Sequence, residues 1–234
     1  MVETAYESLA NVTATQNGSP ILALKSVSTA GVLGGCMEIN YDLAAAIRGC
    51  VRCPLSNLRS GLAVPADVGR SATRRGIAVL GEAPGAQEDA VGLPFVGPAG
   101  RVLAGILHDV GLSREDITIL NRVRCRPPRN DIKSHPEAVL ACDDWTKAEL
   151  AAYDPAVVVL VGATAIGSIF GASAKVGEVR GQVRVTGEEF EYGARSFVAT
   201  YHPASLLPHR RPQNRPLVVA DFMLAKEIAN ASVR

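Results

Sequence analysis

Residues 77–100 read IAVLGEAPGAQEDAVGLPFVGPAG, and this stretch decides the fold. Its first four residues, IAVL (77–80), are apolar without a break, as in a strand buried on both faces of a parallel sheet. A loop with glycines at 81, 85, 92, 97 and 100 follows at once. Open α/β sheets bind their ligands at the carboxyl ends of their strands, and glycines let the backbone approach a ligand closely. Pro84 and Pro94 stiffen the path, and Glu82, Glu88 and Asp89 bring carboxylates to it. The loop is neither a G-x-G-x-x-G fingerprint nor a Walker loop, because no Gly-Lys-Ser/Thr follows.

Two further runs have the same character: ITIL (117–120) and AVVVLVG (156–162). Helical patterns alternate with them at 39–50, 97–111, 135–153, 163–171 and 216–232. The third starts with Pro136 at a first helical turn and carries Cys142 within it. Residues 179–200 read as two strands, VRVT and SFVAT, around an acidic hairpin. This order predicts an α/β fold of three layers, α/β/α, with a central, mainly parallel four-stranded sheet. The Gly-, Pro- and Ser-rich stretch 60–76 reads as a loop. Residues 1–40 show no sustained period and are treated as an extension of uncertain order, leaving 41–234 as the domain.

The chain has 234 residues, enough for one full α/β domain and a tail. Its 24 basic and 23 acidic residues give a net charge of +1, so an anionic partner must be held by a local basic patch. No apolar run approaches the ~18 residues of a membrane span. The N-terminus lacks the basic and apolar regions of a signal peptide, so a cytoplasmic protein without membrane attachment is expected. In that reducing compartment the five cysteines are ligands or free thiols before they are disulfides.

Cys50 and Cys53 form a C-x2-C pair, while Cys125 and Cys142 stand alone with sixteen residues between them. One close pair with two singles suits a cluster on four thiolates. A structural zinc often uses a second C-x2-C knuckle, which is missing, and unconnected thiols are the third reading. Cys36, in GGCME, is read as an unliganded thiol. Cys125 sits in NRVRCRPPRN (121–130), where Arg122, Arg124 and Arg126 would offset a cluster's charge, with Arg52 nearby.

Several residues at strand ends have both a functional and a plain reading. Phe95 is a stacking face for a planar ligand or a core residue. Asn121 complements an N–H beside a carbonyl, or caps a turn. His202, in HPASLL, donates to an oxyanion or is a surface histidine. The loop PHRRPQNR (208–215) grips a nucleic-acid backbone or is a solvated charge run.

Taken together, GEAPGAQED, GLPFVGPAG, NRVRCRPPRN, Cys142, VVVLVGATA and HPASLL resemble the uracil-DNA glycosylase superfamily, most closely its family-4 members, which carry a [4Fe-4S] cluster. The resemblance covers about residues 50–228. It implies Cys50, Cys53, Cys125 and Cys142 as cluster ligands, and Gly81, Glu82 and Ala83 as a uracil-contacting turn. Phe95 would stack on the base, Asn121 would read its edge and His202 would lie over its O2. Catalysis would fall to His202 with Glu82 or Glu88. Arg124, Arg126, Arg210, Arg211 and Arg215 would contact DNA, and Leu206 and Leu207 are either apolar wedges or core residues. The basic insertion of relatives that capture uracil-DNA covalently is absent, so covalent capture is not expected.

The implied activity is hydrolysis of uracil from single- or double-stranded DNA by a monomer, initiating base excision repair. Two rivals are a non-catalytic uracil- or abasic-DNA binding protein and, from another class, an iron–sulfur electron carrier.

Overall fold

The computed structural model describes residues 35–232, with side chains from residue 42. The segment 1–34 and the side chain of Cys36 lie outside the described residues. Helix α1 (Gly35–Arg48) leads to the first cysteine pair, and the short strand β1 (Asp67–Val68) follows. Strand β2 (Ile77–Gly81) runs into helices α2 (Ala86–Val91) and α3 (Pro98–Asp109), then into β3 (Ile117–Asn121). Next come α4 (Pro136–Ala141), α5 (Asp143–Tyr153), β4 (Val157–Val161), α6 (Ala163–Phe170) and α7 (Val176–Val179). The hairpin strands β5 (Val183–Val185) and β6 (Ser196–Thr200) precede the C-terminal helix α8 (Arg215–Ser232).

The sheet has six strands in the order β1-β3-β2-β4-β6-β5, not four. The four central strands are parallel to their neighbours, and the two additions are short antiparallel edges. Strand β1 escaped the sequence because two residues within a Gly- and Pro-rich loop carry no period. Helices cover both faces, which explains why the central strands are apolar without alternation. Ile77, Val79, Ile117, Ile119, Val157 and Val159 enter a core shared with α3 and α8. Ala78, Leu80, Leu120, Val158 and Leu160 enter the opposite one, with α5 and α6. Successive strand side chains point to opposite faces, so each run fills two cores. Each such Val, Leu or Ile stabilises the fold by roughly 1.5–3 kcal/mol when fully buried.

A third, smaller core joins Ile47, Leu55, Ala63, Val123, Ile132 and Ala138 to Cys125 and Cys142. The single helix expected over 135–153 is two, with Cys142 at the joint (φ −87°, ψ −5°). Hydrogen bonds cross this joint, from Cys142 N to Ala138 O and from Thr146 N to Cys142 O, so the helical pattern in the sequence was unbroken. Because β2, β3, β4 and β6 are parallel, Gly81, Asn121, Gly162 and His202 all stand at one edge of the sheet. Among the described residues no helix is long and apolar enough to cross a membrane.

Candidate active site

At that edge β2 and β3 are in register, with Gly81 opposite Asn121. A Cβ on Gly81 would stand 2.4 Å from Asn121 Oδ1 and 2.6 Å from Phe95 Cε2, so three expected base contacts converge on one point. Asn121 is 3 % exposed, and its Oδ1 is buried with no hydrogen-bond partner. An acceptor withdrawn from water without a partner costs about 1–3 kcal/mol. A ligand N–H would satisfy it.

Phe95 is also buried, and its ring centroid lies 5.6 Å from that of His202 at an interplanar angle of 29°. Its backbone has φ +53°, sparsely populated for a non-glycine residue. Neighbouring contacts enforce that conformation. Arg114 donates to the carbonyls of Pro94 at 2.5 Å and Phe95 at 3.0 Å. Glu88 accepts from Val96 N at 2.9 Å and Gly97 N at 2.7 Å through one oxygen, and from Gly85 N at 3.1 Å through the other. Glu88 is 8 % exposed and occupied by three backbone donors, so it braces the loop. That corrects its expected place beside water. A cavity of about 280 Å³ adjoins Phe95, lined by Val96, Arg101, Leu103 and Arg114, but not by Gly81, Asn121 or His202.

Glu82 faces the site differently: its carboxylate receives the Thr164 hydroxyl from the first turn of α6. Ala83 is half-buried and packs against the cysteine-bearing core. His202 has the extended backbone imposed by Pro203 (φ −66°, ψ 135°). Its Nδ1 accepts the Ala204 N–H at 3.1 Å, so the neutral ring carries its proton on Nε2. Burial, with a smaller contribution from the Arg210 charge, lowers the His202 pKa to about 4, against an opposing influence of Glu88. The imidazole is therefore a neutral donor at physiological pH. Gly162 (φ +92°) allows this packing, since a Cβ there would meet His202 Cβ at 3.0 Å.

The four cysteines expected as ligands are unpaired, Cys125 and Cys142 buried and Cys50 and Cys53 half-buried. Cys53, Cys125 and Cys142 share the third core. Cys53 and Cys142 are electrostatic neighbours of Cys125, and Cys50 and Cys53 of Cys142. Burial raises both thiol pKa values, that of Cys125 to about 11. Arg59 donates to Cys125 Sγ at 3.1 Å and to Cys50 O at 2.8 Å, and Trp145 Nε1 donates to Cys50 Sγ at 3.2 Å. The four thiols come from three segments, with a cationic donor at the sulfur of Cys125 and an N–H donor at that of Cys50, a chemistry suited to a thiolate-held group. Among the described residues no three of His, Cys, Asp and Glu are grouped so as to hold a metal ion.

The expected DNA contacts divide. Arg210 and Arg211 are exposed in the loop after His202, which is held by Arg210 N to Leu207 O and Arg211 N to Ser205 O, both 2.8 Å. Arg126 is half-buried and donates to Asn130 Oδ1 at 2.9 Å. Arg215 pairs with Asp109 at 2.7 Å. Arg124 is the correction: it is 1 % exposed and paired with the fully buried Glu149, so it presents nothing to a phosphate. Leu206 is 6 % exposed within the core shared with α3 and α8, which removes it as a wedge; Leu207 is half-buried.

Sequence reasoning missed Thr164, Arg59, Trp145, Arg114 and Gly162. Gly162 and Thr164 had a signal, since they follow an apolar strand as Gly81 and Glu82 do. The others act across the chain and had none.

A buried amide oxygen without a partner, an aromatic ring and a neutral imidazole stand together at one edge of the sheet in this three-layer α/β protein. The chain belongs to the uracil DNA glycosylase superfamily, whose sequence pattern it matches over residues 68–222. Three similar proteins are each called Type-4 uracil-DNA glycosylase. That of Thermotoga maritima is 37% identical over 81% of this chain and 94% of its own. That of Archaeoglobus fulgidus is 36% identical over 82% and 94%. That of Pyrobaculum aerophilum is 38% identical over 72% and 84%.

Proposed function

We propose that this protein is a uracil-DNA glycosylase, acting on single- or double-stranded DNA to initiate base excision repair. The observation that carries the reading is the buried, unpartnered Oδ1 of Asn121, converging with Phe95 on Gly81. The names of the similar proteins support it. An asparagine amide pairs its oxygen with the uracil N3–H and its NH2 with O4. Cytosine, with an unprotonated N3 and an amino group, reverses that pattern and is refused.

The base must leave the duplex to reach this edge, at a cost of a few kcal/mol. Phe95 and His202 are too close for a base to slide between them. A base stacked on Phe95 would be close enough for the Nε2–H of His202 to serve as its donor. As the N-glycosidic bond breaks, negative charge gathers on O2 and cationic character on the sugar. The neutral His202 donor stabilises the leaving anion by about 2.7–4 kcal/mol, the worth of a well-placed oxyanion donor. Glu82, fixed by Thr164, is the carboxylate left to orient water or face the sugar cation, since Glu88 is occupied.

Cys50, Cys53, Cys125 and Cys142 would hold a [4Fe-4S] cluster, and the four unpaired thiols in one region support this. When bound, the cluster supplies cross-links between the loop after α1, the loop after β3 and the α4–α5 joint. Unpaired thiols also support a reducing, cytoplasmic setting. The protein would work as a monomer. Residues 41–234 would form the working domain and 1–40 an extension.

Incubating the protein with an oligonucleotide bearing one uracil, then treating it with alkali, should cut the strand at that position. Intact strand after prolonged incubation with excess protein would overturn the assignment. Anaerobically purified protein should be brown with about four irons per chain, as four thiolates imply; one zinc without iron would overturn the cluster.

A further inference from the structure

We propose that Arg124 is a positioning residue that holds Asn121 in register with the base and ties it to the cysteine centre. The inference rests on the reading of Asn121 as the residue that recognises uracil. One terminal nitrogen of Arg124 donates both to the Asn121 carbonyl and to Thr146 Oγ1, the latter at 3.0 Å. The other donates to the Glu149 carboxylate, whose remaining oxygen accepts the Ala66 N–H at 2.6 Å. The Arg124 carbonyl accepts Val64 N–H at 2.7 Å. Its chain neighbour is Cys125, and Thr146 Oγ1 reaches the carbonyl of Cys142 at 3.4 Å.

This one buried side chain therefore touches the backbone of the base reader and the helix that Cys142 opens. The Asn121 amide oxygen has no protein partner, so nothing at that atom aims the side chain. Its direction is inherited from the backbone, which Arg122 N–H to Gly81 O (2.9 Å) holds on one side and the Arg124 fork on the other. A planar guanidinium spans the Asn121 carbonyl, the Thr146 hydroxyl and the Glu149 carboxylate at once; an ammonium is a point charge and cannot.

Truncating Arg124 would leave Glu149 as an uncompensated buried charge and damage the fold. Arg124→Lys keeps the charge and loses the span. The test is a double-mutant cycle with Asn121→Ala, read as single-turnover cleavage at saturating protein. Iron content, visible absorbance and affinity for undamaged DNA are followed alongside, and all should match the wild type. Arg124→Lys should slow cleavage about tenfold in the wild-type background and less than about twofold in Asn121→Ala, because residues acting as one unit are not additive.

Equal proportional losses in both backgrounds, or an Arg124→Lys enzyme at the wild-type rate, would overturn the proposal. If the lysine variant does not fold, Thr146→Val removes the hydroxyl at similar volume. It should give a smaller loss that vanishes in Asn121→Ala, and a loss that persists there overturns the proposal equally. A wild-type rate for Asn121→Ala alone would instead overturn the base-reading role itself.

Discussion

A methyl group on Gly81 would have to share space with Asn121 Oδ1 and the Phe95 ring. Gly81→Ala should therefore push reader and platform apart while leaving the strand in place. Inhibition of cleavage by free uracil should disappear in this variant, and the thermal midpoint should fall, as overpacking typically costs about 1–3 kcal/mol. Inhibition as strong as in the wild type would show that the base binds elsewhere. His202 supports a second prediction. Its pKa falls from the ordinary 6.5 to about 4 because burial disfavours the cation. The single-turnover rate should be flat from about pH 8 to about pH 5.5, without an inflection near 6.5. The sign for stability follows from proton uptake: between 6.5 and 4 the unfolded chain binds the proton and the folded one does not. The histidine's contribution is thus present above 6.5 and lost as pH falls towards 4. A His202→Gln variant should show a shallower loss of urea stability over that window; an unchanged slope would mean that His202 titrates normally.

Helices α2 and α3 begin within twelve residues of each other, and one carboxylate serves both N-termini. Glu88 accepts the N-cap amide of α2 at Gly85 and the N-cap amide of α3 at Gly97. The negative charge also suits the positive end of each helix. Glu88→Gln keeps the shape but turns an N–H donor towards at least one of these amides. It should cost about 1–3 kcal/mol, as for a buried donor left unsatisfied. A shifted urea midpoint at constant m-value would show this, and cleavage per folded molecule should fall because the loop carrying Phe95 loosens. An unchanged midpoint would mean that Glu88 is free to act elsewhere.

Across the whole molecule the charge nearly cancels, so DNA must be gripped by a local surface. The exposed Arg210 and Arg211 stand in the loop that leaves His202, close enough for the Arg210 charge to act on that ring. Replacing both by Ala should weaken binding to uracil-containing and normal DNA alike. The slope of log affinity against log salt should flatten by about 0.9 for each lost phosphate contact on duplex DNA. Cleavage at saturating protein should change little, because the base contacts proposed above involve neither arginine. An unchanged salt slope would place this loop away from DNA. Arg215 should matter less, being held by Asp109.

The sequence by itself determined the parallel sheet, its helix layers and the edge at which the site is built. Unbroken apolar runs require burial on both faces, and a glycine-rich loop after such a run marks the strand's carboxyl end. Gly81, Asn121 and His202 could be placed at strand ends from the sequence, whereas the roles proposed for them, for Phe95 and for the four cysteines came from the resemblance to the superfamily. The tertiary structure decided which charges face inward. Arg122, Arg124 and Arg126 look alike in NRVRCRPPRN, yet Arg122 meets Asp143, Arg124 meets Glu149 and Arg126 meets Asn130. Glu82 and Glu88 lie in one loop and were equivalent until Thr164 and three backbone amides divided them. Leu206 and Leu207 are neighbours on opposite sides of the same decision. A side chain's role depends on partners tens of residues away, and the cost of burying a charge or an amide without one selects its direction only when the chain has closed around it.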